Sequence, residues 1–379
     1  MPLEKEKNKE KIVKTSPDFP MMVSIFILLI FGLLMVFSAS SLGGGSLGEE
    51  GDIFYYFTRQ TVWAGLGLVA FFMMMNVPLT IIKRLTPLYL LFVIATLVAV
   101  LYIGVGAAEY GAARWLYIGP VRFQPSELAK LGIVFLLAGL LSYWKENIRL
   151  FIPHFLVSVI IIGIFSLLIL MEPDLGTTFV VATTGFFMLF IAGAHLVQLG
   201  LLSLGGLSLA IWSISNSSYQ MRRLEIFKNP LLDPLDGGYQ IIQGLYAIGS
   251  GGITGLGLGN SRQIYWVPQK HTDFIFAILA EETGLIGAGL VVMMFILFTV
   301  RGFIIAKRAP SLYMRYLAFG LTYAIAIQAF VNVAVVTNLI PTTGITLPFI
   351  SYGGTSLLIS MAASGIILNV SRYVKESNP

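Results

Sequence analysis

The stretch TDFIFAILAEETGLIGAGLVVMMFILFTV, residues 272–300, is apolar along most of its length, yet it opens on Asp273 and carries Glu281 and Glu282 inside. A helix of about 20 apolar residues crosses a bilayer core, so the run reads as a membrane span. Acids are expensive at such depth and mark either a buried pair or a functional site. The rest of the chain decides which.

Comparable runs recur near 20–41, 60–82, 87–104, 126–144, 151–170, 176–193, 196–214, 313–338 and 355–371. The sixth and seventh are parted only by AGAH. Of the 379 residues, 56% are hydrophobic and 11% charged, and the mean hydropathy is +0.84. These values exclude a soluble globular domain. The predicted fold class is an all-α polytopic membrane protein of about ten transmembrane helices, with a large extracellular loop, 215–271, between helices 7 and 8. The first span follows a charged tail and lacks a small-residue cleavage site, so no cleavable signal peptide is expected.

Orientation follows Lys and Arg. Lys5, Lys7, Lys9, Lys11, Lys14, Lys83, Arg84, Lys145, Arg149, Arg301, Lys307, Arg308, Arg315, Arg372 and Lys375 fall on the side of the termini. They form the majority of the 24 basic residues, which predicts both termini in the cytoplasm. The expected division is a disordered cytosolic tail over 1–19, a transmembrane domain over 20–374 and a cytosolic end over 375–379.

Several chemistries drop out. The chain has no cysteine, which excludes disulfides, thiol catalysis and cysteine-ligated metal. His154, His195 and His271 are scattered and read as helix-end or loop residues, although His271 adjoins Asp273. No phosphate-loop or dinucleotide fingerprint sits between a strand and a helix. GSGGITGLGLG (249–259) lacks the lysine and the strand, and reads as a flexible extracellular turn. Nothing points to nucleic acid. A substrate must therefore arrive already activated, in or on the bilayer.

Polarity concentrates outside. GAARWLYIGPVRFQPSELAK (111–130), MEPDLGTT (171–178) and NLIPTTGITLPFISYGGTS (338–356) break the apolar pattern with Pro, Gly and charge. Such breaks survive beside membrane helices only where protein or water satisfies the backbone. Arg59, Arg114, Arg122, Lys130, Arg222, Arg223, Lys228, Arg262 and Lys270 lie on this side, and long loops tolerate the last five. Arg114, Arg122 and Lys130 sit in a short segment and suit the phosphate of a lipid headgroup. Pairing with Glu109 or Glu127 is the structural alternative. Trp115 reads as an interface aromatic or as a seat for lipid or sugar.

GAARWLYIGPVRFQPSELAKL, EPDLGTT, GGYQIIQGLYAIGSGGITGLGLGNSRQ, HTDFIFAILAEETGLIG and PTTGITLPFISYGGTSLL, taken in order, resemble the SEDS family (shape, elongation, division and sporulation). FSASS (37–41) and GNSRQ (259–263) are more similar to its FtsW/SpoVE branch than to RodA. One departure is Gln269, where relatives often carry glutamate. The resemblance implies ten helices and a peptidoglycan glycosyltransferase that polymerises lipid II at the outer face of the bacterial cytoplasmic membrane. It implies a class B penicillin-binding protein as partner, among other divisome or elongasome membrane proteins. It places the essential acid on Asp273.

In that reading Asp273 is the catalytic base. Arg114, Trp115, Arg122, Lys130, Lys270, His271 and Ser351 contact substrate, and Glu281, Glu282, Glu172 and Asp174 support them. On one straight helix Asp273 and Glu281 stand about 12 Å apart along the axis, beyond the ~5–9.5 Å of glycosidase carboxylate pairs. They therefore have different jobs, and a pair with an arginine such as Arg114 is expected for Glu281 or Glu282. Thr272 could cap the helix and leave Asp273 free. No metal site is defined. A divalent cation, Mg2+ or Mn2+, is the one cofactor a pyrophosphate leaving group invites. The main rival is a lipid II flippase, and a non-catalytic scaffold is a third reading.

Overall fold

Prolines and glycines set the helix ends more firmly than the charges do. Pro78 pushes Val77 into an extended conformation (φ −65°, ψ 130°) and starts the next helix at Leu79, since the residue before proline disfavours the α region. The second and third helices are therefore Tyr55–Asn76 and Leu79–Ile103, each beginning earlier than the hydropathy runs at 60 and 87. Lys83 and Arg84, expected in the connecting loop, lie inside the third helix.

The computed structural model describes residues 12–42, 54–105, 114–119 and 121–375. The long helices are α1 (Phe19–Leu42), α2 (Tyr55–Asn76), α3 (Leu79–Ile103), α4 (Pro125–Trp144), α5 (Leu156–Leu170), α6 (Leu175–Ile191) and α7 (Leu196–Ser215). After two shorter helices, α8 (Ser218–Lys228) and α9 (Tyr239–Gly251), come α10 (Ile275–Arg308), α11 (Leu312–Val336) and α12 (Gly354–Ser371). Eight of the long helices are apolar and long enough to cross a membrane. The segment 215–271, expected as a loop, holds α8 and α9 and is built rather than loose.

Two small antiparallel sheets complete the fold: β2 (Leu116–Ile118) with β3 (Val121–Phe123), and β1 (Ile12–Lys14) with β4 (Tyr373–Lys375). Residues 12–14 and 375 thus belong to an ordered pair, not to free tails. Residues 1–11 and 376–379 of the expected tails lie outside the described residues, as does Glu109.

The core runs through α4, α11 and α12. Some 72% of the apolar window of α11 or α12 is buried, against 11% for α7. At Gly365 a Cβ would stand 2.3 Å from the Phe71 carbonyl, so the missing side chain lets α12 meet α2 backbone to backbone. Asp18, before α1, pairs bidentately with Arg301 near the end of α10. Residues 12–18 and 372–375 therefore gather at the Arg301 end of the bundle, and Asp273 lies at the other end of α10.

Candidate active site

Glu281 and Glu282 show how the N-terminal end of α10 is built. The helix breaks at Gly284, whose φ of 65° is left-handed. A break in lipid needs partners for its freed backbone groups, and the glycine-rich segment supplies them. Leu256 N donates to Glu281 O and Gly257 N to Glu282 O, both at 3.0 Å. In return Leu285 N donates to Gly252 O at 2.9 Å and Ile286 N to Ile253 O at 3.2 Å. A Cβ at Gly255 would stand 2.2 Å from the Glu282 carbonyl oxygen. GSGGITGLGLG is therefore a packed replacement for helix backbone, not a flexible turn.

The two glutamate side chains tie neighbouring elements to this break. The Glu281 carboxylate accepts from Ser250 Oγ (3.2 Å), Ser261 Oγ, Arg262 N (3.0 Å) and Gln263 N (3.2 Å). Glu282 accepts from Ser38 Oγ at 2.6 Å and so holds the end of α1. The expected pairing with Arg114 does not form. Arg114 donates instead to the Glu172 carbonyl (Nε, 3.1 Å) and the Pro173 carbonyl, because its short segment lies against the α5–α6 turn.

Asp273 sits just before α10, on a strap whose backbone is clamped at every residue. The His271 carbonyl accepts from Tyr352 N (2.7 Å), Thr272 from Ser351 Oγ (2.6 Å) and Asp273 from Asn332 Nδ2 (2.8 Å). Phe274 is the N-cap and no side chain caps the helix, so neither Thr272 nor Asp273 is spent there. Among the described residues the Asp273 carboxylate takes one side-chain hydrogen bond, from Thr272 Oγ1 at 3.1 Å. A Cβ on Gly344 would stand 4.0 Å from Asp273 Oδ2. Burial lifts the Asp273 carboxyl to about 6, opposed by its own backbone amide, by Thr272 and by the charge of Arg223.

Arg223 was absorbed into the tolerated charges of the long outer segment, yet α8 brings it here. Its Nη1 donates to Thr342 O at 3.0 Å. The signal available was its place among basic residues on the acid's side of the membrane. Asn332 and Gln60 carried no sequence signal of their own. Gln60 Nε2 donates to Ser351 O at 3.1 Å and Gly353 N donates back to Gln60 Oε1 at 3.3 Å.

The other predicted site residues divide. Arg122 lies over the Trp115 ring, 4.4 Å from its centroid, with both residues around the β2–β3 hairpin. Lys130 is buried in an ion pair with Glu127 at 2.7 Å and donates to Gln328, so it faces the core rather than a substrate. Ser351 has its hydroxyl occupied by Thr272 O and Leu347 N, which makes it part of the clamp. Lys270 donates to Ile264 O at 2.7 Å, and burial lowers its pKa. His271 stacks on Tyr56 at 4.4 Å. Burial, then the neighbouring Lys270 charge, holds its ring down to about 4, so it is neutral at pH 7 and no cationic anchor.

Glu172 and Asp174 brace the same region from below. Asp174 caps α6 through Thr177 N (3.0 Å) and accepts from Gln124 at 3.3 Å. Gly176, in the first turn of α6, packs on Thr343 and Ile345, which flank Gly344. Burial and the nearby Asp174 charge raise the Glu172 carboxyl to about 9, against the opposing charge of Arg114.

A bundle of long apolar helices with a clamped, half-buried carboxylate at one end defines a polytopic membrane protein. The profile of the FtsW/RodA/SpoVE cell cycle protein family matches residues 19–376. The chain belongs to that family. Stage V sporulation protein E of Bacillus subtilis (strain 168) is 43% identical over 361 residues, covering 95% of this chain and 98% of that protein. A protein of Geobacter sp. (strain M18) named probable peptidoglycan glycosyltransferase FtsW is 37% identical, covering 94% and 97%. A chain from a peptidoglycan synthase complex that coordinates polymerization and crosslinking superposes with TM-score 0.76 at 29% identity, covering 94% and 98%. Thermus thermophilus rod shape determining protein RodA gives 0.69 at 27%, covering 94% and 97%.

Proposed function

We propose that this chain is a peptidoglycan glycosyltransferase that polymerises lipid II, with Asp273 as its general base. The observation that carries the assignment is the contrast at residue 273: a fully clamped backbone holding a carboxylate with spare acceptor capacity. A carboxyl near 6 is ionised at neutral pH yet basic enough to take a proton in the transition state.

Asp273 removes the proton from the 4-hydroxyl of the acceptor N-acetylglucosamine as that oxygen bonds to the donor's anomeric carbon. The carbon–oxygen bond to phosphate breaks, and the electron pair leaves with undecaprenyl pyrophosphate. Direct displacement inverts the α-linked donor to a β-linked strand. Arg223, beside the acid, and Arg122, on the Trp115 ring, are the guanidinium groups placed to meet phosphate oxygens. Mg2+ or Mn2+ accompanying the pyrophosphate belongs to the same reading. No three His, Asp or Glu side chains gather among the described residues, so pyrophosphate oxygens and water would hold most of such an ion, with Asp273 as the nearby carboxylate.

The site faces outward from the bacterial cytoplasmic membrane, with both termini in the cytoplasm and a class B penicillin-binding protein against the outer segments. This arrangement draws on the positive-inside count and on the neighbouring synthase complex. Proteoliposomes holding the chain and its penicillin-binding partner, supplied with lipid II, should make glycan strands, and Asp273→Asn should make them about 10²–10⁴-fold more slowly while still binding lipid II. Strands made at the wild-type rate by Asp273→Asn would end the general-base assignment. Lipid II translocation without strand formation by the wild type would end the polymerase reading.

A further inference from the structure

We infer that Asn332 is a positioning residue, fixing both the Asp273 strap and the glycine wall that faces the carboxylate. The inference rests on the reading of Asp273 as the base. Asn332 lies in α11, is 1% exposed, and spends its amide nitrogen on two carbonyls from different segments. One is Asp273 O and the other Ile345 O, each at 2.8 Å. Its oxygen, Oδ1, has no partner among the described residues.

That combination is costly, because a buried acceptor left unpaired forfeits its water. An apolar residue of the same size would avoid the cost but could not bridge two carbonyls. A hydroxyl offers one hydrogen where the carboxamide offers two. The peptide that Asn332 holds on one side is that of Asp273 itself, so its orientation sets the direction in which the side chain leaves the backbone. On the other side it holds Ile345, the residue after Gly344, where a Cβ would stand 4.0 Å from Asp273 Oδ2. One carboxamide therefore fixes the distance between the base and the wall opposite it. Ser351 and Tyr352 clamp the preceding two carbonyls, so the rest of the strap stays in place when Asn332 is changed, and the displacement falls on Asp273.

The test uses the full chain in proteoliposomes with its penicillin-binding partner and lipid II. Asn332→Leu keeps the branching at Cγ, with a larger volume, and removes both donors. Asn332→Ser keeps one donor and is small enough to fit where leucine does not. For Asn332→Leu, kcat should fall roughly 10- to 100-fold, the scale expected for a reacting group misplaced by about an ångström. KM and lipid II binding should stay within about twofold of wild type, a split expected when an interaction serves the transition state alone. Asn332→Ser should fall between the two. The acidic limb of the pH–rate profile should move down towards the ordinary carboxylate range as the displaced carboxyl gains water. A merely structural residue would leave that limb in place. Wild-type kcat in both variants would overturn the inference, as would loss of lipid II binding in step with kcat. Wild-type activity in Asp273→Asn would remove the base assignment itself, whatever the Asn332 variants do.

Discussion

Asp273 lies just before the N-terminus of α10 and Glu281 within its first two turns, and the two meet opposite fates. The Glu281 carboxylate is wholly buried and surrounded by donors from the 250–263 segment. Asp273 has its backbone tied down instead, while its carboxylate takes one side-chain hydrogen bond among the described residues. The first acid fastens protein to protein. The second is held through its backbone carbonyl, and its carboxylate keeps acceptor positions to spare. Chemical type and position along the helix do not separate them; the count of donors around each does.

The contrast predicts unlike failures, and the largest is at Asp273. Asparagine there should cost about 10²–10⁴ in polymerisation rate, the usual contribution of a positioned base, with yield and melting temperature unchanged. Glu281→Ala should instead damage the fold. Buried donors stripped of their acceptor cost about 1–3 kcal/mol each, so melting temperature should drop and proteolysis should open the 250–263 segment. A Glu281→Ala protein with full thermal stability and no activity would erase the distinction.

The pH response sharpens it further. With the Asp273 carboxyl near 6 in the free protein, kcat/KM should rise with pH through that value and fall about tenfold per unit below it. A limb near 4 would mean the carboxylate is solvated like an ordinary one. The smallest effect is at Glu172. Its folded value near 9 exceeds that of the unfolded chain, so the unfolded state loses this proton first. Stability should decline as pH rises from about 4.5 to 9. Glu172→Gln, always neutral, should flatten that slope in thermal unfolding at alkaline pH without changing kcat at neutral pH.

Much of this was legible in the chain. Long apolar runs mark the helices because the bilayer demands them, and AGAH does separate α6 from α7, with Gln198 Oε1 accepting from His195 N at 3.2 Å. Asp273 stood out as an acid at the head of a span. What hydropathy could not show is where backbone substitutes for backbone. The glycines at 252–257 look like slack until Gly284 breaks α10 beside them. Charge counting likewise put Arg114 and Lys130 with the substrate; Lys130 takes the alternative partner Glu127, whereas the two carbonyls that occupy Arg114 leave no mark in the sequence. Asn332 and Gln60 were invisible for the converse reason: an amide inside an apolar helix has no pattern until its partners are located.

The pairing of β1 with β4 bears on the order in which the protein is made. Asp18 and Thr15 emerge from the ribosome first, yet their partners Arg301 and Arg372 are synthesised near the end. The leading helix can enter the membrane early but cannot be latched until the last residues are available. A chain cut before Tyr373 would leave the Ile12–Lys14 strand without its mate.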